Sequence, residues 1–386
     1  MNERYDLIVI GGGPVGAALA LALRGSGISV AVLEARDDPA AAADPRALAI
    51  SWGSRLILER FGVWGRIPAT AIRGIHVSTK GSFGRAVLGA EECGVPDLGY
   101  VVSYRDLYRA LHEALAASGA DYLTGAEVSE VDCDVEAGRV AFRRDGEART
   151  AAAQLVVLAD GGRLAQTVKG VQRSEKEYGQ WAVVAEVRGD RPHGNIAYER
   201  FTGTGPVALL PRGEGHALVW TATPEQAQEL IALEDAAFLA RLQEHFGARA
   251  GRFVSAGPRA GFPLALRETE ARGVPRLALL GNAAHTLHPV AGQGFNLGLR
   301  DAWELAELVL RNHGADPGGE ALLTEFRARR RLDTEGGILF TDSLVRLFSN
   351  DLPVLSAARG AALTVLDLLP PAKRFLARRM MFGARG

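Results

Sequence analysis

YDLIVIGGGPVGAALALALRGSGISVAVLE, residues 5–34, is the stretch on which the reading of the fold turns. Residues 5–10 are a short, nearly continuous apolar run, as expected of a parallel strand buried on both faces. Gly11, Gly13 and Gly16 follow in the positions of a G-x-G-x-x-G fingerprint, and AALALALRG then carries a helix pattern that stops near Gly25 and Gly27. ISVAVLE reads as a second strand ending on Glu34. Each glycine has a mechanical reason. The first permits a tight turn, the second lets a pyrophosphate approach the backbone, and the third allows close packing of helix on strand. The helix N-terminus offers free N–H groups and partial positive charge to phosphates. Glu34 stands where a carboxylate can accept from both ribose hydroxyls. A carboxylate there, rather than an arginine, disfavours a 2′-phosphate, so FAD or NAD is expected before NADP.

The choice between these two comes from later segments. QLVVLA, residues 154–159, is another apolar strand and ends in Asp160-Gly161-Gly162. RLALL, residues 276–280, leads into GNAAHTLHPVAGQGFNLGLRDAWELAELVL, a loop rich in Gly and Pro followed by a helix. In that helix Ala302, Leu305, Ala306 and Val309 keep the spacing that buries one face. A second glycine loop aimed at a helix N-terminus suits a reduced flavin, whose charge backbone N–H groups near residues 292–296 would stabilise.

At these residues the sequence resembles the flavoprotein aromatic hydroxylases of the para-hydroxybenzoate hydroxylase fold, and within them the ubiquinone-biosynthesis hydroxylases. The resemblance rests on GGGPVG, DPRALAIS, LGYVVSYRDL, LADG, GPVALLPR with LVWT, FPLAL, GNAAHTLHPVAGQGFNLGLRD, FTDSLVRLFSN and LPPAKRFLARR, and so covers nearly the whole chain. It implies that Gly11, Gly13, Val15 and Gly16 hold the pyrophosphate and Glu34 the adenosine ribose. Arg36 and Arg46 would lie near the ADP part, Arg105 near the ribityl–phosphate arm, and the Val128 backbone against the adenine. Asp160 belongs to a motif associated with both FAD and pyridine nucleotide. Pro289 would sit beside the flavin C4a position, with the backbone of Gly292, Gln293 and Gly294 at O2, and Phe295 and Asn296 completing the loop. These four, Pro289 and residues 292–294, are the implied catalytic positions. The chain departs from the fold where Gly-Asp is usual and Gly281-Asn282 stands. Asn282 keeps an acceptor oxygen for a ribityl hydroxyl but loses a charge.

The implied activity is an FAD-dependent monooxygenase, with O2 as co-substrate and NAD(P)H or a redox protein as electron donor. It would hydroxylate a polyprenylated phenol through a flavin C4a-hydroperoxide. An isoprenoid double-bond reductase and a non-catalytic FAD-bearing subunit of a biosynthetic complex are the alternatives. The implied fold is α/β: a Rossmann-like FAD-binding domain with an inserted, mostly antiparallel sheet substrate domain and a C-terminal helical segment. Residues 1–75, 97–170 and 268–345 are assigned to the first. Residues 76–96 and 171–267 are assigned to the second, with one helix around residues 234–246, and residues 346–386 to the third.

Composition bounds the rest. In 386 residues, 47% hydrophobic and 23% charged with a formal net charge of −1, nothing suggests nucleic acid. Cys93 and Cys133 are the only cysteines, which excludes a disulfide scaffold and fits a reducing compartment, the cytoplasm. His285 and His288 lack neighbouring ligands for a zinc set, and no metal is expected. Trp220 reads equally as core or substrate wall, and residues 41–48 as a mobile loop. From Leu368 onward Lys373, Arg374, Arg378, Arg379 and Arg385 alternate with apolar residues and no acid. That tail either packs on its own domain or docks peripherally on the anionic inner membrane or a partner subunit.

Overall fold

The computed structural model describes residues 4–38, 44–348 and 353–384, so residues 41–43 of the expected loop and Arg385 of the tail lie outside the described residues. The first body is a seven-stranded sheet. Its order is Asp121–Leu123, Val30–Leu33, Arg4–Ile10, Glu147–Leu158, Gly138–Arg144, Glu127–Cys133, and Leu277–Leu279 also pairs with Glu147–Leu158. The pairings of Arg4–Ile10 with both neighbours are parallel, with Ile8 opposite Ala31 and Val156. Both faces of this strand are covered, which is why its sequence is a continuous apolar run. Leu7 and Val9 pack under the helices Pro14–Ala22, Tyr104–Ala116 and Gln293–Arg311, while Ile8 and Ile10 pack with Val140, Phe142 and Val156.

The second body is a nine-stranded sheet. Its order is His285–Thr286, Ala260–Glu270, Gln172–Gly189, Gly215–Ala222, Gly205–Arg212, Ile196–Thr202, Gly74–Thr79, Arg85–Gly89, with Phe253–Ala256 also on Gln172–Gly189. It is mostly antiparallel, but Ile196–Thr202 runs parallel to Gly74–Thr79. His285–Thr286 pairs with Arg267 and Glu268, so the loop expected at the flavin is hydrogen-bonded directly into this sheet. A three-stranded sheet (Ala47–Ser51, Gly99–Ser103, Ala69–Ile72) was not foreseen from the sequence.

One face of the nine-stranded sheet is covered by two helices, Pro224–Ala232 and Asp235–Phe246, where one was expected. The missed helix opens on a capping box between Thr223 and Gln226 with Pro224 in its first turn. Trp220 belongs to this face. It is buried against Phe238 and His245, and is core rather than substrate wall. The opposite face is open, and the C-terminal helices Glu320–Phe348, Pro353–Leu368 and Pro370–Phe382 lie across from it.

Candidate functional site

The fingerprint glycines fall into two mechanical kinds. Gly11 has φ +104°, and a Cβ there would stand 2.5 Å from the Ala159 carbonyl oxygen of the neighbouring strand end. A Cβ on Gly16 would stand 2.0 Å from the Gly11 oxygen. Both are glycines because backbone presses on them. Gly13 is different: nothing lies within 4 Å of where its Cβ would be. It is the N-cap of Pro14–Ala22, and no side chain caps that helix. The first-turn N–H groups therefore open onto free volume, the arrangement that receives a phosphate. Glu34, buried at the strand end, accepts from the Gly12 N–H at 2.8 Å and the Arg36 N–H at 3.1 Å, which fixes the carboxylate facing the same volume.

The second loop is held as firmly. Gly281 has φ +55° and donates its N–H to Asp301 Oδ2 at 3.0 Å. Gly292 has φ +60°, starts the helix Gln293–Arg311 without a side-chain cap, and a Cβ on it would stand 2.9 Å from that of Ala49. Under the loop lies a buried charge cluster. Arg330 donates to Asp301 at 2.7 Å and Asp333 at 3.0 Å, Arg300 donates to Asp333 at 2.7 Å, and His285 Nε2 is 3.4 Å from Asp301. Burial pushes Asp333 up, but the two guanidiniums more than offset this and hold its carboxyl below the usual range. Charges so deep persist only when paired in this way.

Both loops border one cavity of about 1690 Å³, larger than a usual small-ligand pocket. At its nucleotide end Gly11, Gly13, Val15, Glu34 and Val128 form the wall. Arg36, Arg105 and Asp160 stand further along, and Asp160 spends both oxygens on the N–H groups of Gly162 and Leu164. Arg46 also borders the cavity, but its guanidinium is turned onto Asp44 at 2.5 Å and stacks 5.3 Å from the Tyr104 ring centre. At the other end come Asn282, Pro289, Gly292, Gly294 and Phe295.

Three of the residues anticipated at the site are not on the wall: Gly16, Gln293 and Asn296. Gly16 serves helix packing. Asn296 is 1% exposed and its amide is consumed by backbone partners. Gln293 begins the helix between Gly292 and Gly294, which do border the cavity. His288 is also off the wall. It is buried, accepts from the Val290 N–H at 3.2 Å through Nδ1, and stands edge-on to Tyr178. Burial lowers it to about 4.

Beyond the second loop the walls turn apolar. The open sheet face supplies Val77, Ala197, Phe201 and Leu210, and the C-terminal helices supply Leu344, Leu363, Leu376 and Met380. Glu199 is the exception on this wall and was not singled out from the sequence. The alternation in NIAYERF did place it on the face of Ala197 and Phe201. The residues fit FAD in three respects: open volume at Gly13, uncapped helix ends at both loops, and a buried carboxylate at Glu34.

Comparison with known proteins agrees. The family model described as "FAD binding domain" matches residues 4–335. Ubiquinone hydroxylase UbiL of Rhodospirillum rubrum is 37% identical, with 97% of this chain and 89% of that protein covered. The 3-demethoxyubiquinol 3-hydroxylase of Escherichia coli is 30% identical over 97% of each. Among solved structures, p-nitrophenol 4-monooxygenase of Pseudomonas putida superposes with a TM-score of 0.78 at 20% identity, covering 100% of both chains.

Proposed function

The chain belongs to the FAD binding domain family, and from that premise we propose that it is a monooxygenase hydroxylating the ring of a polyprenylated phenol on the way to ubiquinone. One observation carries this reading. The volume that begins at an FAD fingerprint continues without a break past Pro289 and Gly292 into an apolar chamber between a sheet face and three helices. A long hydrocarbon chain has somewhere to lie, and an aromatic ring can meet the cofactor. The relatives named for ubiquinone hydroxylation agree with such a substrate.

When bound and reduced by NAD(P)H or a redox protein, FAD supplies the activation of O2 and the transfer of one oxygen atom to an electron-rich ring. The chain's own work is to bind, orient and exclude water. Gly11, Gly13 and Val15 would receive the pyrophosphate at the N-terminus of Pro14–Ala22, and Glu34 the ribose. Arg36, Arg105 and Arg46, the last once released from Asp44, would serve the ADP and ribityl parts. Asn282 would accept from a ribityl hydroxyl. The uncapped N-terminus of Gln293–Arg311 at Gly292 and Gly294 would face the electron-rich end of the ring system and stabilise negative charge there. On this reading residues 1–75, 97–170 and 268–345 serve the dinucleotide, and residues 76–96 and 171–267 the substrate.

No described helix is long and apolar enough to cross a membrane. We assign access to a lipid-dissolved substrate to the outer side of the C-terminal helices. Leu339, Val365, Leu368 and Phe375 on those helices are exposed, and so are Arg374 and Arg378. This surface would dock weakly on an anionic bilayer.

The test is to supply the holoenzyme with prenylphenols and an electron donor, and to map the product by mass spectrometry in 18O2. One labelled oxygen on the ring supports the reading. Saturation of a side-chain double bond without oxygen incorporation replaces it with a reductase.

A further inference from the structure

Glu199 lies in the apolar chamber, and no described residue bonds to it. On Ile196–Thr202 it sits between Ala197 and Phe201 on the cavity-facing side, and its register neighbours are Val77 and Ala208. Ala197 packs in one apolar cluster with Ile75 and Leu210. Phe201 packs in another with Val77, Leu363 and Val290, the residue after Pro289. A carboxyl flanked by two apolar clusters, the second of them reaching the flavin loop, has no structural task there. No group among the described residues pairs with it, and its half-buried side chain borders the cavity.

We propose that Glu199 is the hydrogen-bond acceptor that anchors the phenolic hydroxyl of the substrate, fixing which edge of the ring faces the Pro289 loop. The proposal rests on the reading of the chamber as a phenol site. A buried polar group without a partner is costly, and a ligand that brings the partner recovers that cost. An ether or hydrocarbon of the same shape does not. A carboxylate accepting from the phenol also raises electron density in the ring, which favours electrophilic oxygen transfer.

Burial alone pushes the Glu199 carboxyl up to about 7. Among the described residues, the charged groups on the surrounding elements are turned away or already paired. His76 packs beside Tyr198, and Arg200 lines a separate cleft with Arg249, both on the other face of the sheet. Arg212 pairs with Glu186, Arg267 with Glu175, Lys176 with Asp342, and Lys373 with Glu92. Asp367 accepts from the Val87 N–H. Titration of Glu199 therefore dominates the pH dependence of ligand choice in the chamber. Above about 7 the carboxylate accepts from a phenol, whereas below it the neutral acid can donate to an ether oxygen.

The holoenzyme is titrated with 2-prenylphenol and with its O-methyl ether, and binding is followed by the flavin absorbance change at about pH 6 and about pH 8. In the native protein the ratio of the ether Kd to the phenol Kd should rise about tenfold between the two pH values. In Glu199→Gln, which retains shape and polarity without titrating, the ratio should not change with pH. Glu199→Leu should bind the ether at least as tightly as the native protein does and lose the preference for phenol. Binding of both ligands with a pH-independent ratio in the native protein overturns the anchor and leaves the phenol chamber standing. Failure of both ligands to bind at any pH overturns the chamber reading, and the anchor with it.

Discussion

Asn296 holds Ser51 across 245 residues of chain: its Oδ1 accepts the Ser51 N–H at 2.9 Å. The Nδ2 donates to the carbonyls of Ala49 and Gly292, each also at 2.9 Å. The three-stranded sheet is thereby pinned to the start of the helix Gln293–Arg311. Asn296→Ala should destabilise the apoprotein by about 2–4 kcal/mol, because buried backbone groups are left without partners. Asn296→Asp should cost more, since its carboxylate would face two carbonyl oxygens. Denaturant unfolding without FAD checks this, so that loss of cofactor is not mistaken for the cause.

Gly13 and Gly16 should fail differently. Gly13→Val puts its side chain into open volume and should fold with a near-native melting temperature yet purify without flavin. Gly16→Ala drives a Cβ onto the Gly11 carbonyl and should lose soluble protein or melt many degrees lower. A yellow, folded Gly13→Val would move the pyrophosphate elsewhere.

Acid should weaken the fold through His288. Its pKa falls from about 6.5 in the unfolded chain to about 4 in the folded one, so between these values the unfolded chain binds more protons. The stability contributed is complete above about pH 6.5 and lost as pH falls towards 4, with an upper bound of about 3 kcal/mol. His288→Gln should flatten that acid limb in denaturant unfolding at stepped pH. His288→Ala should keep some hydroxylation, because the residue does not border the cavity. Complete loss with FAD content and folding intact would give it a proton-transfer role.

The tail calls for surface substitutions rather than deletion. A truncation before Pro370 would strip Leu376 and Met380 from the cavity wall. It would also remove the Met381 carbonyl that accepts from Ser51 Oγ at 2.9 Å, and Lys373, which is buried against Glu92. Phe375, Arg374 and Arg378 point outward. Changing all three to Ser should abolish salt-sensitive co-sedimentation with anionic vesicles at unchanged melting temperature. Each cation contributes roughly 1 kcal/mol before screening. Equal sedimentation of both proteins would leave this face as plain surface.

The residues legible in the sequence were those where local chemistry dictates structure. The run through residues 5–34 announces a strand, a turn, a helix and a second strand, because its apolar runs and the glycines between them mark the ends of each element, and Gly16 answers to the Gly11 carbonyl within the unit. Glu199 and the apolar helix wall were not legible, since their meaning depends on which face of a strand stays uncovered, and only tertiary packing decides that. Asn296 misled for the same reason. A loop asparagine beside glycines looks free in sequence, but here its amide is spent on strands far away. Arg46 carried no sign that Asp44, two residues before it, would claim its guanidinium.

The strand Glu147–Leu158 joins Arg4–Ile10 on one side and Leu277–Leu279 on the other, so the central parallel ladders close loops of well over a hundred residues. Such long-range pairing is slow to form. The turn at Gly11 is completed against Ala159, so the fingerprint has no binding shape until that pairing exists. FAD should therefore leave the refolding rate nearly unchanged and slow unfolding in proportion to its occupancy, its stabilisation being almost wholly kinetic on the unfolding limb.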